Sequence, residues 1–190
     1  MAIEVERRFL VHDPGRAITP HAIVDRFDIQ QGYFGHVNGL KVRVRIMVDA
    51  DGRSLAVLTR KSPRRGICRE EYEHPIGLGE AEQALRTLPP SHIICKHRYH
   101  VSNDDGAIWS VDCFEGQNAG LVIAEIELAH PGQSFKLPAW VGSEITLDPR
   151  YGNSALARTP IIKGPEVPAD CISRTHRSCG RLRREIVGLQ

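Results

Sequence analysis

Residues 3–11 read Ile3-Glu4-Val5-Glu6-Arg7-Arg8-Phe9-Leu10-Val11. As an extended strand, this stretch puts Glu4, Glu6 and Arg8 on one face, with apolar bulk from Ile3, Val5, Phe9 and Val11 nearby. A strand with one charged and one apolar face is common on a protein surface. Two carboxylates side by side and then a guanidinium are less so, because like charges on one face repel.

The pattern recurs down the chain. In residues 40–47 (LKVRVRIM), Arg43 and Arg45 share a face, Lys41 precedes them, and Val42, Val44 and Ile46 take the other side. Residues 67–76 (ICREEYEHPI) place Arg69, Glu71 and Glu73 together. Residues 92–101 (HIICKHRYHV) do the same for Lys96 and Arg98, against Cys95, His97 and Tyr99. Glu125 and Glu127 alternate with Ala124, Ile126 and Leu128, Asp112 lies between Val111 and Cys113, and Lys61 is in step with Thr59.

Two architectures accommodate this. One is a one-sided sheet whose charged faces meet solvent. The other is a closed barrel whose interior carries both signs. The repeated same-sign pairs and the shortage of helices to cover a flat sheet favour the barrel, which also removes unpaired sheet edges. In such a lumen, arginines and lysines converge on an anion of high charge density. Carboxylates hold a divalent metal that shares the anion, since guanidinium forks bind phosphate bidentately and Mg²⁺ takes carboxylate and phosphate oxygens. Several cations plus a metal suit several linked phosphates better than one.

The chain has 190 residues, 41% hydrophobic and 25% charged, with a formal net charge of +2. That composition is globular, and the charge is too mild to argue for nucleic acid. No run of eighteen apolar residues and no basic-then-apolar leader occurs, so the cytoplasm is the expected compartment and no membrane partner is expected. The five cysteines form no CxxC pair. Cys171, His176 and Cys179 lack a fourth ligand at normal spacing for a metal.

A hairpin turn is expected at Asp49–Gly52 (DADG), and further turns at residues 104–106 and 115–120. Helices are expected over residues 21–27, over residues 79–88, where Ala81, Leu85 and Leu88 recur at helical spacing before Pro89, and near the end of residues 148–158. Residues 143–147 (SEITL) read as a short strand. From Gly164 the composition turns Pro-punctuated and then basic. Residues 1–163 are thus expected as one domain and 164–190 as a basic tail, with a terminal helix as an option over residues 181–189.

These motifs, in this order, resemble the CYTH superfamily, the triphosphate tunnel metalloenzymes, over about residues 1–160. Glu4-x-Glu6-x-Arg8 matches the ExExK signature at two of three positions. Gln31–Phe34, the VRVR, TRK and KHRY runs, and residues 138–157 resemble its short bacterial members. The resemblance implies an α+β, mainly antiparallel fold: an eight-stranded closed β-barrel, the tunnel, with a few peripheral helices. It also implies metal-dependent hydrolysis of a triphosphate, inorganic tripolyphosphate first, with Mg²⁺ or Mn²⁺.

Carried over by position, Glu4, Glu6, Glu125 and Glu127 are the implied metal carboxylates. Arg43, Arg45, Lys61, Arg69, Lys96 and Arg98 are the implied phosphate binders, and Arg8, Tyr33, Glu71, Glu73 and Asp112 the implied catalytic group. The signature lysine is Arg8 here, and a guanidinium does not act as a base. Nucleoside or thiamine triphosphates, cyclase chemistry on ATP, and a non-catalytic polyphosphate-binding module are the competing readings. Assembly as a homodimer is left open.

Several other signals have structural readings. His97 and His100 are expected in surface or packing roles, Trp140 as a core or loop anchor, and Tyr151 and Asn153 as structural. The basic loop Pro63–Gly66 is either a solvated turn or a charged rim at a tunnel mouth.

Overall fold

A computed structural model describes residues 2–161; the tail, its cysteine and histidine candidates and its optional helix lie outside the described residues. The chain forms β1 (Ala2–Val11), α1 (Pro14–Ala17), β2 (Ile23–Val37), β3 (Leu40–Asp49), β4 (Ser54–Lys61), β5 (Cys68–Pro75) and α2 (Leu78–Arg86). It continues through β6 (Ile93–Ser102), β7 (Ile108–Phe114), β8 (Val122–Glu127), β9 (Val141–Glu144) and α3 (Asn153–Arg158).

All strand pairings are antiparallel, in the order β5-β4-β3-β2-β6-β7-β8-β1-β9, and an additional β5–β1 pairing closes eight strands into a barrel. The closure is made by the opening segment itself. Residues 6–10 of β1 pair with β8, while residues 2–5 pair with β5 on the other edge. Further along that edge, Phe9 and Val11 pair with β9.

The alternation of β1 therefore separates the inside of the barrel from the outside. Val5, Phe9 and Val11 pack outward with Trp109, Val111, Ala124 and Ile126, beneath Phe135 and Trp140 of the connection to β9. Trp140 meets Trp109 edge-on with ring centroids 5.6 Å apart, an anchor for this loop. A second outer cluster, Val44, Ile46 and Val48, is covered by α2 through Ala81 and Leu85. Burying Leu85 contributes about 1.5–3 kcal/mol. Gly32 permits that approach, since a Cβ there would lie 2.5 Å from Leu88 Cδ1 and 2.6 Å from Leu85 Cδ2. A third cluster plugs one end of the barrel: Leu156 and Ala157 of α3 and Ile145 meet Tyr33, Ile94, Phe114 and Ile123.

The β3–β4 turn forms as expected, with Gly52 at φ 84° and Asp49 Oδ1 accepting from the Asp51 and Arg53 amides. The helix expected over residues 79–88 is α2, and α3 occupies the end of residues 148–158. Two expectations are corrected. Residues 23–27 are the start of β2 rather than a helix, because Ile23 and Phe27 are held in the β6 ladder opposite Val101 and Arg98. The short strand expected at 143–147 runs instead over Val141–Glu144, where Val141 and Glu144 find partners on β1. No helix among the described residues is long and apolar enough to cross a membrane.

Candidate active site

The lumen holds a cavity of about 1190 Å³, above the usual ~300–1,000 Å³ of small-molecule pockets. Of the residues singled out in the sequence, Glu4, Glu6, Glu125 and Glu127 line it, as do Arg43, Arg45, Lys61, Arg69 and Arg98. Arg8, Tyr33, Glu71 and Glu73 line it as well. The charged faces of six strands, β1, β3, β4, β5, β6 and β8, thus converge on one space.

Lys96 and Asp112 are the exceptions. Both are fully buried and neither lines the cavity. Strand alternation gives the face of a residue but not its depth along the barrel, and these two lie too deep. Asp112 accepts from Lys96 Nζ, and from Arg98 Nε and Nη2 at 2.7 Å each. Burial would raise the Asp112 pKa, but the charges of Arg98 and Lys96 outweigh it and hold the carboxyl well below its usual range. Arg98 then donates to Glu125 Oε2 at 2.6 Å, so this ion cluster sets a cavity-facing guanidinium in place.

Arg43 Nη2 donates to Thr59 Oγ1 at 2.8 Å and to Glu73 Oε1 at 3.2 Å. Arg45 has no ion pair among the described residues; its Nε donates to Gln31 Oε1 at 3.2 Å, and Gln31 in turn donates to the Tyr33 hydroxyl at 2.8 Å. Burial, and then the charges of Arg43 and Arg98, push the Arg45 pKa down to about 9. A half-buried guanidinium beside two others is a receptor for an anion.

At the β1–β5 seam, Lys61 Nζ lies 3.0 Å from Glu4 and 2.9 Å from Glu71. Burial and the neighbouring Arg43 and Arg69 lower its pKa to about 8. Arg69 pairs with both Glu4 and Glu6, and Arg64, from the basic loop 63–66, turns inward onto Glu6. The Glu71 pKa is raised, by burial first and despite Lys61.

Arg8 spends its terminal nitrogens on the backbone: Nη1 donates to the Tyr151 carbonyl at 3.0 Å and Nη2 to the Thr146 carbonyl at 3.3 Å. Its Nε has no hydrogen bond and lies 3.6 Å from Glu6. Thr146, Asp148 and Pro149 line the cavity, so Arg8 ties one wall of the site to β1.

The carboxylates are hard oxygen donors suited to a divalent cation. No three Asp, Glu, His or Cys side chains converge as a ready-made cage among the described residues. Mg²⁺ rarely needs one, since it takes one or two carboxylates and completes its shell with water and substrate phosphate. Glu127 fits that role: it lines the cavity, faces Glu6 across the β1–β8 ladder, and has no ion pair among the described residues.

Lys41, Arg64 and Arg158 also line the cavity and were not singled out as site residues. Lys41 carried a signal, since it precedes Arg43 on the same alternation, and Arg64 belongs to the basic loop read as a solvated turn or a charged rim; α3 carried none. His97 lies on the outer side, between Asp28 at 2.6 Å and Glu115 at 3.0 Å, a packing role as expected.

No family model matches the chain. It is similar to the inorganic triphosphatase of Acetivibrio thermocellus, with 40% identity over 160 residues covering 84% of this chain and 96% of that protein. It is also similar to the inorganic triphosphatase of Nitrosomonas europaea, with 32% identity over 157 residues covering 81% and 96%. A solved crystal structure of an inorganic triphosphatase superposes with a TM-score of 0.58 at 31% identity, covering 82% of this chain and 98% of that one.

Proposed function

The chain belongs to the inorganic triphosphatases, the CYTH-type tunnel group, and we propose that it hydrolyses inorganic tripolyphosphate to pyrophosphate and phosphate with Mg²⁺ or Mn²⁺. The observation that carries this reading is the closed lumen, where, among the described residues, Arg45 is a cation without a carboxylate partner and Glu127 a carboxylate without a cation. A linked phosphate chain and a divalent ion supply the two missing charges. Tyr33 is the one aromatic side chain among the described lining residues, which favours an inorganic substrate over one carrying a base or a thiazolium.

In this reading Arg43, Arg45, Lys61 and Arg98 hold the phosphate oxygens, and Arg69 helps keep Glu4 ionised while pairing with Glu6. Glu6 and Glu127 would hold the cation, with Glu4 and Glu125 beside them. The bound cation would neutralise charge on phosphate oxygens as the reaction proceeds. A water oxygen forms the new bond to a terminal phosphorus while the bridging P–O bond breaks and pyrophosphate leaves with the electron pair. Phosphoryl transfer needs positioned charge more than covalent chemistry.

Arg8 stays protonated, so it is not the acceptor of the water proton. Glu71, whose carboxyl is held above its ordinary pKa, is the better placed acceptor, while Asp112 acts through Arg98 as a positioning residue. A small-molecule triphosphate is therefore the partner, and the cytoplasm is the proposed compartment.

Incubating the protein with tripolyphosphate, ATP and thiamine triphosphate, with Mg²⁺ and then Mn²⁺, tests the reading. Phosphate release from tripolyphosphate well above the other two supports it. Preferential turnover of an organic triphosphate, or none at all, refutes it.

A further inference from the structure

Lys41, Arg43 and Arg45 occupy alternate positions of β3 on its lumen face, and all three line the cavity. Each step along such a row is about 6.5–7 Å. Lys41 faces Lys61 directly in the β3–β4 ladder. Like charges at paired positions destabilise a sheet unless something of opposite sign lies between them. Lys61 has that partner in Glu4 and Glu71. Lys41 has no carboxylate partner among the described residues; its Nζ donates to a neutral group, the Ser154 hydroxyl, at 2.8 Å.

Arg158, four residues further along α3, lines the same cavity and has no ion pair among the described residues. It is close enough to Lys41 to count, after burial and Arg69, among the influences that lower the Lys41 pKa; Lys61 and Arg8 add to them. Lys41 and Arg158 therefore form a second patch of unbalanced positive charge, reached from the first through Arg43.

We propose that Lys41 and Arg158 form an outer anion subsite that continues the phosphate-binding row and takes the fourth phosphate of a linear chain. The inference rests on the reading of the lumen as a triphosphate site and extends it to chain-length preference. A strand row that places cations at three successive lumen positions, with a further guanidinium beyond, outreaches three linked phosphates. Ser154 holds the Lys41 ammonium toward the cavity, so the subsite is formed before a ligand arrives.

The test is direct binding of tripolyphosphate and linear tetrapolyphosphate to the full-length protein by calorimetry, with EDTA to prevent turnover, for wild type, Lys41→Met and Arg158→Gln. Wild type is expected to bind tetrapolyphosphate at least tenfold more tightly than tripolyphosphate, and each variant to lose most of that margin. Arg158 is exposed, so its variant keeps the comparison informative should Lys41→Met fold poorly. Equal affinity for both ligands in wild type, a margin untouched by Arg158→Gln, or a parallel loss of both affinities overturns the subsite. Failure of the underlying reading shows differently, as no turnover of tripolyphosphate by wild type once Mg²⁺ or Mn²⁺ replaces EDTA, whatever the binding margin.

Discussion

Glu6 and Glu127 are direct partners across the β1–β8 ladder, yet among the described residues only Glu6 is balanced, by Arg64 and Arg69. Facing carboxylates cost stability unless a cation lies between them. Substituting Glu127→Gln is therefore expected to leave the metal-free protein as stable as wild type or slightly more so. It should also abolish the rise in Tm that Mg²⁺ or Mn²⁺ gives wild type and cut turnover on the order of 10²–10³-fold. Thermal melts with and without metal, alongside phosphate release, check both halves.

Arg45 relates to its neighbours in the opposite way. Replacing it with Met removes a cation that repels Arg43 and Arg98, so stability should hold or rise while tripolyphosphate turnover falls on the order of 10²–10³-fold. Loss of activity with a raised or unchanged urea midpoint is the expected pair of readings.

Asp112 behaves as a structural group in the floor of the tunnel. Asp112→Asn strands the buried Lys96 ammonium and weakens the hold on Arg98, and should destabilise the fold by about 3–5 kcal/mol. Replacing Lys96 and Asp112 together with Met and Leu should recover much of that loss, as read by urea unfolding.

Arg8→Lys is not expected simply to restore the ExExK signature. A lysine ammonium does not span the Tyr151 and Thr146 carbonyls together, so about 1–3 kcal/mol of stability should be lost. The pH–rate profile of wild type should carry no inflection that disappears in Arg8→Met.

His97 gives a pH dependence outside the tunnel. Hydrogen bonds to Asp28 and Glu115 raise its pKa to about 9 from 6.5. A raised folded-state pKa adds stability that is complete below pH 6.5 and lost as pH climbs toward 9. Lys61, lowered to about 8, contributes the opposite slope only above that pH. Between pH 6.5 and 8, stability should therefore fall in wild type and fall less in His97→Gln.

The barrel was legible because period-two alternation with same-sign charges survives in several of its strands, from Glu4 and Glu6 of β1 through Arg43 and Arg45 of β3 to Glu125 and Glu127 of β8. Closure was inferred from edge avoidance, and the pairing that achieves it joins Ala2–Val5 to Cys68–Glu71, too far apart in sequence for any local pattern to announce. Depth was not legible. Lys96 and Arg98 share a face, but only Arg98 reaches the cavity, because the tilt of strands in a closed barrel sets height and parity does not. Residues 21–27 misled for a local reason: their helical appearance yields to β6, whose ladder holds Ile23 and Phe27 extended. Arg158 was hidden because its place depends on how α3 folds across the barrel end.

Hydrolysis in the tunnel is read out by following tripolyphosphate with phosphorus NMR in the presence of protein and Mg²⁺. Its resonances are expected to give way to pyrophosphate and orthophosphate in equal amounts, and excess EDTA to stop the change. Tripolyphosphate that persists unchanged beside a protein-free control, with Mg²⁺ and again with Mn²⁺, would contradict that hydrolysis.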